Sequence, residues 1–346
     1  MVTLIKHHLD SVGYFFEDIN FQSLMKRLFS PILLAAGLTL LQLALTPPGG
    51  QNTLHAENSK IILRHADMIE GGEDAVGPYR AAIGNVEMLK GELTMTCRRT
   101  TDYDGQNRII MNGDVSISDG SMEVFGDDGV FYTDREVLEL SGNVRGRMKD
   151  NSLAVRSKKG MFNNDESQLW FYDDAVGWKG KDQVSGEIIL LHFRKSEKKG
   201  EKRTIDEMQL HGNAFYASPD TLIQSPVGYD QMSGKKIVAL IGENSRIEGL
   251  TVTGQAESLF HLYDENSKPT GINYSSGDRI RMIFREGRMH TMKVTGNAEG
   301  TEYPASFRGE ESINLPKFAW RAAENPWAPP EKKEAPVFEG LFDSDK

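Results

Sequence analysis

A short unit recurs along most of the chain: an apolar residue, any residue, Gly, a small polar residue, then Val or Ala. It reads Met111-Asn112-Gly113-Asp114-Val115, Leu140-Ser141-Gly142-Asn143-Val144 and Leu210-His211-Gly212-Asn213-Ala214. It returns as Val252-Thr253-Gly254-Gln255-Ala256 and Val294-Thr295-Gly296-Asn297-Ala298. Ile83-Gly84-Asn85-Val86 lacks one residue of the pattern, and Phe171-Tyr172-Asp173-Asp174-Ala175-Val176 is a degenerate copy. The polar residues of successive units are 29, 29, 31, 39, 42 and 42 positions apart. A repeat whose period grows by insertion fits stacked supersecondary units with variable loops. Gly followed by Asn or Asp tolerates positive φ, so each unit predicts a turn or bulge at a strand entrance rather than a ligand site.

Between units the pattern has period two. Ser121-Met122-Glu123-Val124 and Leu153-Ala154-Val155-Arg156 alternate. In Arg279–Arg285, Ile280, Met282 and Phe284 share one face, and Arg279, Arg281, Ile283 and Arg285 the other. Such alternation marks strands with one buried face. No convincing amphipathic helix occurs between 57 and 303, so the unit is a pair of strands in an all-β body. The 34 glycines in 346 residues agree with a turn-rich chain. The single cysteine excludes an intrachain disulfide framework and a Cys-based zinc ribbon. Cys97 alternates with Leu93 and Met95 and reads as a small buried hydrophobe.

The ends differ from the middle. Residues 1–24 read as a cytoplasmic extension or a mis-assigned start. Residues 25–56 read as an export segment, because Lys26 and Arg27 precede an eighteen-residue apolar run, Leu28–Leu45. At 1.5 Å per residue this run spans about 27 Å. The positive flank keeps the amino end in the cytoplasm. A cleaved signal peptide and a retained anchor are both open, and both export residues 57–346. Residues 304–346 hold six of the 13 prolines and two of the four tryptophans, Trp320 and Trp327. That composition predicts an extended tail, with the tryptophans docked on the body or on a partner.

Motifs for chemistry are missing. None of the eight histidines forms H-E-x-x-H, and His211 reads as a turn residue of the repeat. The sequence has no G-x-S-x-G elbow and no P-loop. The carboxylate pairs Asp127-Asp128, Asp173-Asp174 and Glu310-Glu311 read as solvated turn acids, since strand neighbours point to opposite faces. The net charge of −10 gives no basic footprint for nucleic acid. One basic cluster, Arg194, Lys195, Lys198, Lys199, Lys202 and Arg203, reads either as a solvated hairpin tip or as a contact for lipid phosphates or a membrane surface.

The order of these units, with Ala66-Asp67 and Met95-Thr96-Cys97 between the first ones, resembles the OstA-like family, which includes LptA, LptC and the amino-terminal domain of LptD. The resemblance is best over about residues 60–218 and looser to about 303. It implies an all-β, open β-jellyroll, two antiparallel sheets folded like a V, over 57–218 with a continuation over 219–303. It also implies a non-enzymatic periplasmic protein without cofactor or metal. Such a protein carries lipopolysaccharide acyl chains in an apolar groove between inner and outer membrane. Its partners would be lipopolysaccharide and other jellyrolls of the same type, itself included, joined through edge strands. Groove candidates are Leu93, Met95, Met122, Val124, Leu153, Val155, Ile280, Met282 and Phe284; the plain alternative for each is ordinary sandwich core. Two rivals stand beside this reading. A structural or polysaccharide-binding β-repeat protein would show a closed core with aromatic side chains outside. An envelope glycosidase would need carboxylates converging in a cleft.

Overall fold

The computed structural model describes residues 60–328 apart from 195–201, 224, 243–244 and 287. The chain divides into two compact units, Met1–Gln51 and Asn52–Lys346. The first lies wholly outside the described residues, as do the export segment 25–56 and the chain beyond 328.

Sixteen strands follow one another among the described residues. They are β1 (Ile62–His65), β2 (Met68–Glu73), β3 (Pro78–Lys90), β4 (Leu93–Tyr103), β5 (Arg108–Ser118), β6 (Met122–Tyr132), β7 (Val137–Met148) and β8 (Ala154–Asn163). Then come β9 (Gln168–Lys179), β10 (Asp182–Phe193), β11 (Ile205–Pro219), β12 (Tyr229–Ile241), β13 (Ile247–Tyr263), β14 (Pro269–Arg285), β15 (Arg288–Thr295) and β16 (Glu299–Tyr303). All join one open antiparallel sheet in which β3 to β15 lie in sequence order. β1 and β2 both pair with β3, and β15 and β16 both pair with β14, so each edge is one line of chain interrupted once. No α-helix occurs among the described residues.

The repeat unit is a bulge, but it sits in mid-strand rather than at a strand entrance. Gly84 and Asn85 of β3 oppose the single residue Arg98 of β4, between the pairs Ile83↔Arg99 and Val86↔Cys97. The same register break recurs in β5, β7, β9, β11 and β13. A bulge adds a residue, bends the strand and increases its twist. Both bulge residues have positive φ: +76° and +45° at Gly84 and Asn85, +74° and +44° at Gly142 and Asn143. The degenerate copy keeps the conformation, with φ of +61° at Asp173 and +60° at Asp174.

The 29-residue period is therefore two strands, one of which carries a mid-strand bulge. The row explains the glycine as well. The preceding strand lays a side chain over it, so a Cβ on Gly84 would land on the Asp67 carboxyl, one on Gly113 on Arg98, and one on Gly142 on Asp127. Glu187 covers Gly212, Lys235 covers Gly254 and Asp278 covers Gly296 in the same way.

The covering residues, with Lys158 at the equivalent place before the β9 bulge, alternate in sign along the sheet: Asp67, Arg98, Asp127, Lys158, Glu187, Lys235, Asp278. Asn follows the glycine where an acid covers it, and Asp follows where Arg98 does. Asn85 Nδ2 donates to Asp67 at 3.0 Å, Asn143 Nδ2 to Asp127 at 2.8 Å and Asn213 Nδ2 to Glu187 at 2.9 Å. Arg98 Nε lies 3.1 Å from Asp114. Asp127-Asp128 and Asp173-Asp174 thus belong to the bulge row, not to hairpin turns. Asp127 serves Asn143 and Asp128 serves Asn112, on opposite neighbours.

The bulge row divides the sheet into two leaves. Leaf I carries the β4–β5, β6–β7 and β8–β9 turns; leaf II carries the β3–β4, β5–β6 and β7–β8 turns. Strands bent at bulges allow one sheet to pack on itself. Leu138, Leu140, Phe162 and Phe171 of leaf I join Val124, Val144, Met148 and Val155 of leaf II in one buried apolar cluster. The leaves meet closely: a Cβ on Gly146 of leaf II would stand 2.9 Å from Phe171 Cζ of leaf I.

After β16 the chain makes three short 3-10 turns, at Ala305–Phe307, Glu311–Ile313 and Ala322–Glu324. It lies as a strap over the outer face of leaf II, and Trp320 and Trp327 dock on the body. Leu315 is buried with Phe215, Ala217, Leu259 and Ile272. Further along, Arg321 reaches Asp174 at 2.8 and 3.0 Å, and its amide donates to Gln183 Oε1 at 2.6 Å. Arg156 pairs with Glu324. Trp327 packs on the buried patch of Ala154, Val176 and Trp178, under the Arg147 guanidinium. Bonds from Arg321 and then Arg156 hold the Glu324 carboxyl below its usual range, and those from Arg321 first do the same for Asp174.

Candidate functional site

The fold gathers the apolar residues singled out in the sequence. Leu93, Met95, Met122, Val124, Leu153, Val155, Ile280 and Met282 are all buried in the cluster between the leaves, and Phe284 packs against it half-buried. Cys97 belongs to the same cluster, and burial pushes its thiol up to about 11. The alternation places these side chains inward on each leaf; a bulged strand keeps its inward parity across the bulge, as Leu140 and Val144 show, and the strands between change it, as Val124 and Phe131 show. The same interior runs from Val86 on β3 to Met282 on β14.

That interior is closed as the leaves stand. One cavity of about 20 Å³ lies among Val184, Met208, Leu210, Ile237 and Leu250. A second of about 40 Å³ lies among Met148, Leu153, Ile205, Met208 and Ile241. Small-molecule sites run to roughly 300–1,000 Å³, so neither holds an acyl chain without movement.

Opposite the bulge row, the free ends of the leaves are fastened by charge. Lys90 of leaf II lies 2.6 Å from Glu136 of leaf I, its side chain only 5% exposed. Arg203, two residues before β11 at the leaf I end, bonds Asp119 of the β5–β6 turn at 2.7 Å, and its amide donates to Ser121 Oγ at 2.7 Å. It also donates to Asn164 Oδ1 at 2.8 Å and lies over the Phe162 ring. Asp119 is 6% exposed and accepts from the amides of Ser121 and Met122 as well.

Of the basic cluster, Lys195, Lys198 and Lys199 lie outside the described residues. Arg194 and Lys202 frame the gap, with the Arg194 amide donating to Thr204 O at 2.8 Å; Lys202 is exposed. Arg203 is turned inward as the fastening just described. The Asp119–Arg203 contact joins residues 84 apart in sequence, and no spacing in the chain announces it.

A second feature lies outside the leaves. Tyr229, at the start of β12, meets two strap rings, Phe318 at 5.1 Å and Trp320 at 4.9 Å between centroids. On leaf I, Trp170 and Tyr172 stack at 5.8 Å with their planes 5° apart. The remaining carboxylate pair, Glu310-Glu311, is exposed on the strap. Among the described residues, no group of His, Cys, Asp and Glu can hold a metal ion.

No protein-family profile matches the chain, and no curated protein does. Among solved structures, the chain is similar to LptH of Pseudomonas aeruginosa, the LptA-homologous periplasmic component of its lipopolysaccharide transport device. The match has 12% identity and a TM-score of 0.31, over 44% of this chain and 95% of that one. A porin-like protein of Bacteroides uniformis gives 9% identity and a TM-score of 0.10, over 70% of this chain and 96% of that one. Neither score is high enough to carry a function across.

Proposed function

We propose that this protein is a non-enzymatic periplasmic carrier of lipopolysaccharide, holding the acyl chains between the two leaves. The observation that carries this reading is the single apolar interior running the length of a sheet whose leaves share backbone along the bulge row and, among the described residues, are fastened at the opposite side by the Lys90–Glu136 and Arg203–Asp119 pairs. Parting the leaves would expose a continuous apolar path, and each Å² of acyl surface buried there contributes about 25 cal/mol. The net charge of −10 does not attract an anionic glycolipid, so capture rests on burial and on local basic groups such as Lys202. The free edge at β1 and β2, with Ile62, Leu63, Met68 and Ile69 exposed, suits addition of a strand from another jellyroll or a second copy.

A photo-reactive phenylalanine analogue in place of Leu153, beside the 40 Å³ cavity, tests the reading. Crosslinking to lipopolysaccharide in cells is expected. It should disappear when Ser121→Cys and Arg203→Cys are oxidised to join the leaves, and return on reduction. No crosslink in the reduced protein would sink the lipid reading.

The closed interior and the aromatic rings on the outer faces favour a second reading, a polysaccharide-binding β-repeat protein of the envelope.

A further inference from the structure

Between the strap and the outer face of β12 and β13 lies a cavity of about 580 Å³, within the range of small-molecule sites. We propose that it is a saccharide-binding site. The proposal rests on the second reading above and is independent of any acyl path between the leaves.

One wall of the cavity is aromatic. Tyr229 stands between Phe318 and Trp320, and all three rings are half-buried, leaving part of each open to an occupant. The lining also holds Asn314, whose Oδ1 accepts from Gln231, and the exposed carboxylates of Glu310 and Glu311. A pyranose has an apolar C–H face that stacks on aromatic rings and an edge of hydroxyls that donate to carboxylates and amide oxygens. The carboxylates disfavour a phosphorylated ligand. The only cationic side chain of the lining, Lys317, is engaged with Asn213 Oδ1.

The imidazole of His261 lies in the cavity wall. Its side chain is 5% exposed, and Nδ1 lies 2.9 Å from Asp230 Oδ1. The carboxylate accepts from Nδ1, which leaves Nε2 as the ring's other polar atom. That Nε2 is buried with no hydrogen-bond partner, and it lies against Gly228 in the cavity wall. A buried polar nitrogen without a partner is rare in native structures, but this one has no surface open to the cavity.

The site is pre-built rather than formed by the ligand. Arg308, 6% exposed, pairs with Asp220 and donates to the carbonyls of Pro226 at 2.9 Å and Ile223 at 2.8 Å. It thereby fixes the β11–β12 loop against the root of the strap. Gly309 is packed on Pro226, with no room for a side chain, and its φ of +78° suits glycine.

Affinity electrophoresis of the intact protein in gels containing xylan, mannan, dextran, hydroxyethyl cellulose or glycol chitin tests the proposal. At least one polysaccharide is expected to retard the protein. Trp320→Ala and Glu311→Gln are each expected to weaken that retardation about tenfold, the worth of one good contact. Glu311 is exposed, so its variant keeps the wild-type melting temperature and reports binding alone. Retardation unchanged in both variants, or lost instead in Trp170→Ala, removes the cavity and leaves the glycan reading standing. Retardation by none of the five removes both.

Discussion

Replacing Gly142 with alanine tests the account of the bulge row. Gly142 has φ +74°, where an L side chain costs about 1–2 kcal/mol. Loss of freedom in the unfolded chain offsets about 0.4–1 kcal/mol of this. The larger effect is contact. The new Cβ would stand 2.8 Å from Asp127 Cβ, an atom that no side-chain rotation can move away. Strand β6 must shift instead, at about 1–3 kcal/mol for such overpacking, and Asn143 loses its 2.8 Å bond to Asp127.

The expected total is about 2–4 kcal/mol. Gly105 supplies the control. Its φ is also +74°, but nothing lies within 4 Å of a Cβ built there, so Gly105→Ala should cost about 0.5–1 kcal/mol. Urea unfolding followed by circular dichroism measures both. Adding Asp127→Gly to Gly142→Ala should recover about half of the loss, because the opposing Cβ is gone. Equal costs at 105 and 142, or no recovery in the double variant, would refute the claim that the covering side chain is what demands glycine.

Two further outcomes are expected. Arg203→Ala leaves the Asp119 carboxylate without its cation while its two amide bonds remain, and should destabilise by about 1–3 kcal/mol; hydrogen exchange should rise first in the β5–β6 turn and the start of β11, and a uniform rise would contradict a local fastening. Strap docking should weaken in acid: Asp174 and Glu324 have folded pKa values held below the ordinary 3.8 and 4.5, so their contribution is present above those values and is lost as pH falls through the folded ones. Fluorescence of Trp320 and Trp327 should report release of the strap in that window before the sheet melts, and Arg321→Ala should remove the pH step.

The repeat made much of the fold legible, because a bulge needs a particular backbone and only a few residues supply it. Alternation around Met122, Val155 and Met282 likewise marked the buried face. The position of the bulge was not legible, since Gly-Asn at a strand entrance and Gly-Asn in mid-strand read alike. The alternating charges at 67, 98, 127, 158, 187, 235 and 278 were present in the sequence but hidden by unequal loop lengths. The outer patch of Val176, Trp178, Phe215 and Leu259 left a trace as strands apolar on both faces, such as Ala175–Trp178. Its cover comes from the tail, 56 residues later between Leu259 and Leu315 and 151 later between Val176 and Trp327, which no local pattern connects. The Asp119–Arg203 fastening and the His261 wall depend on loops meeting across the fold, and neither charge nor spacing foretells that.

The strap also sets an order of events in time. Synthesis delivers the chain from its amino end, and every strand that the strap covers emerges before residue 304 does. Sheet pairing can therefore finish while Trp178, Phe215, Leu259 and Ile272 still face water, so a chain halted in passage carries a sticky outer surface although its interior is complete. Arrival of Leu315 and Trp327 closes that interval, and the last described turns serve as the seal on a finished molecule.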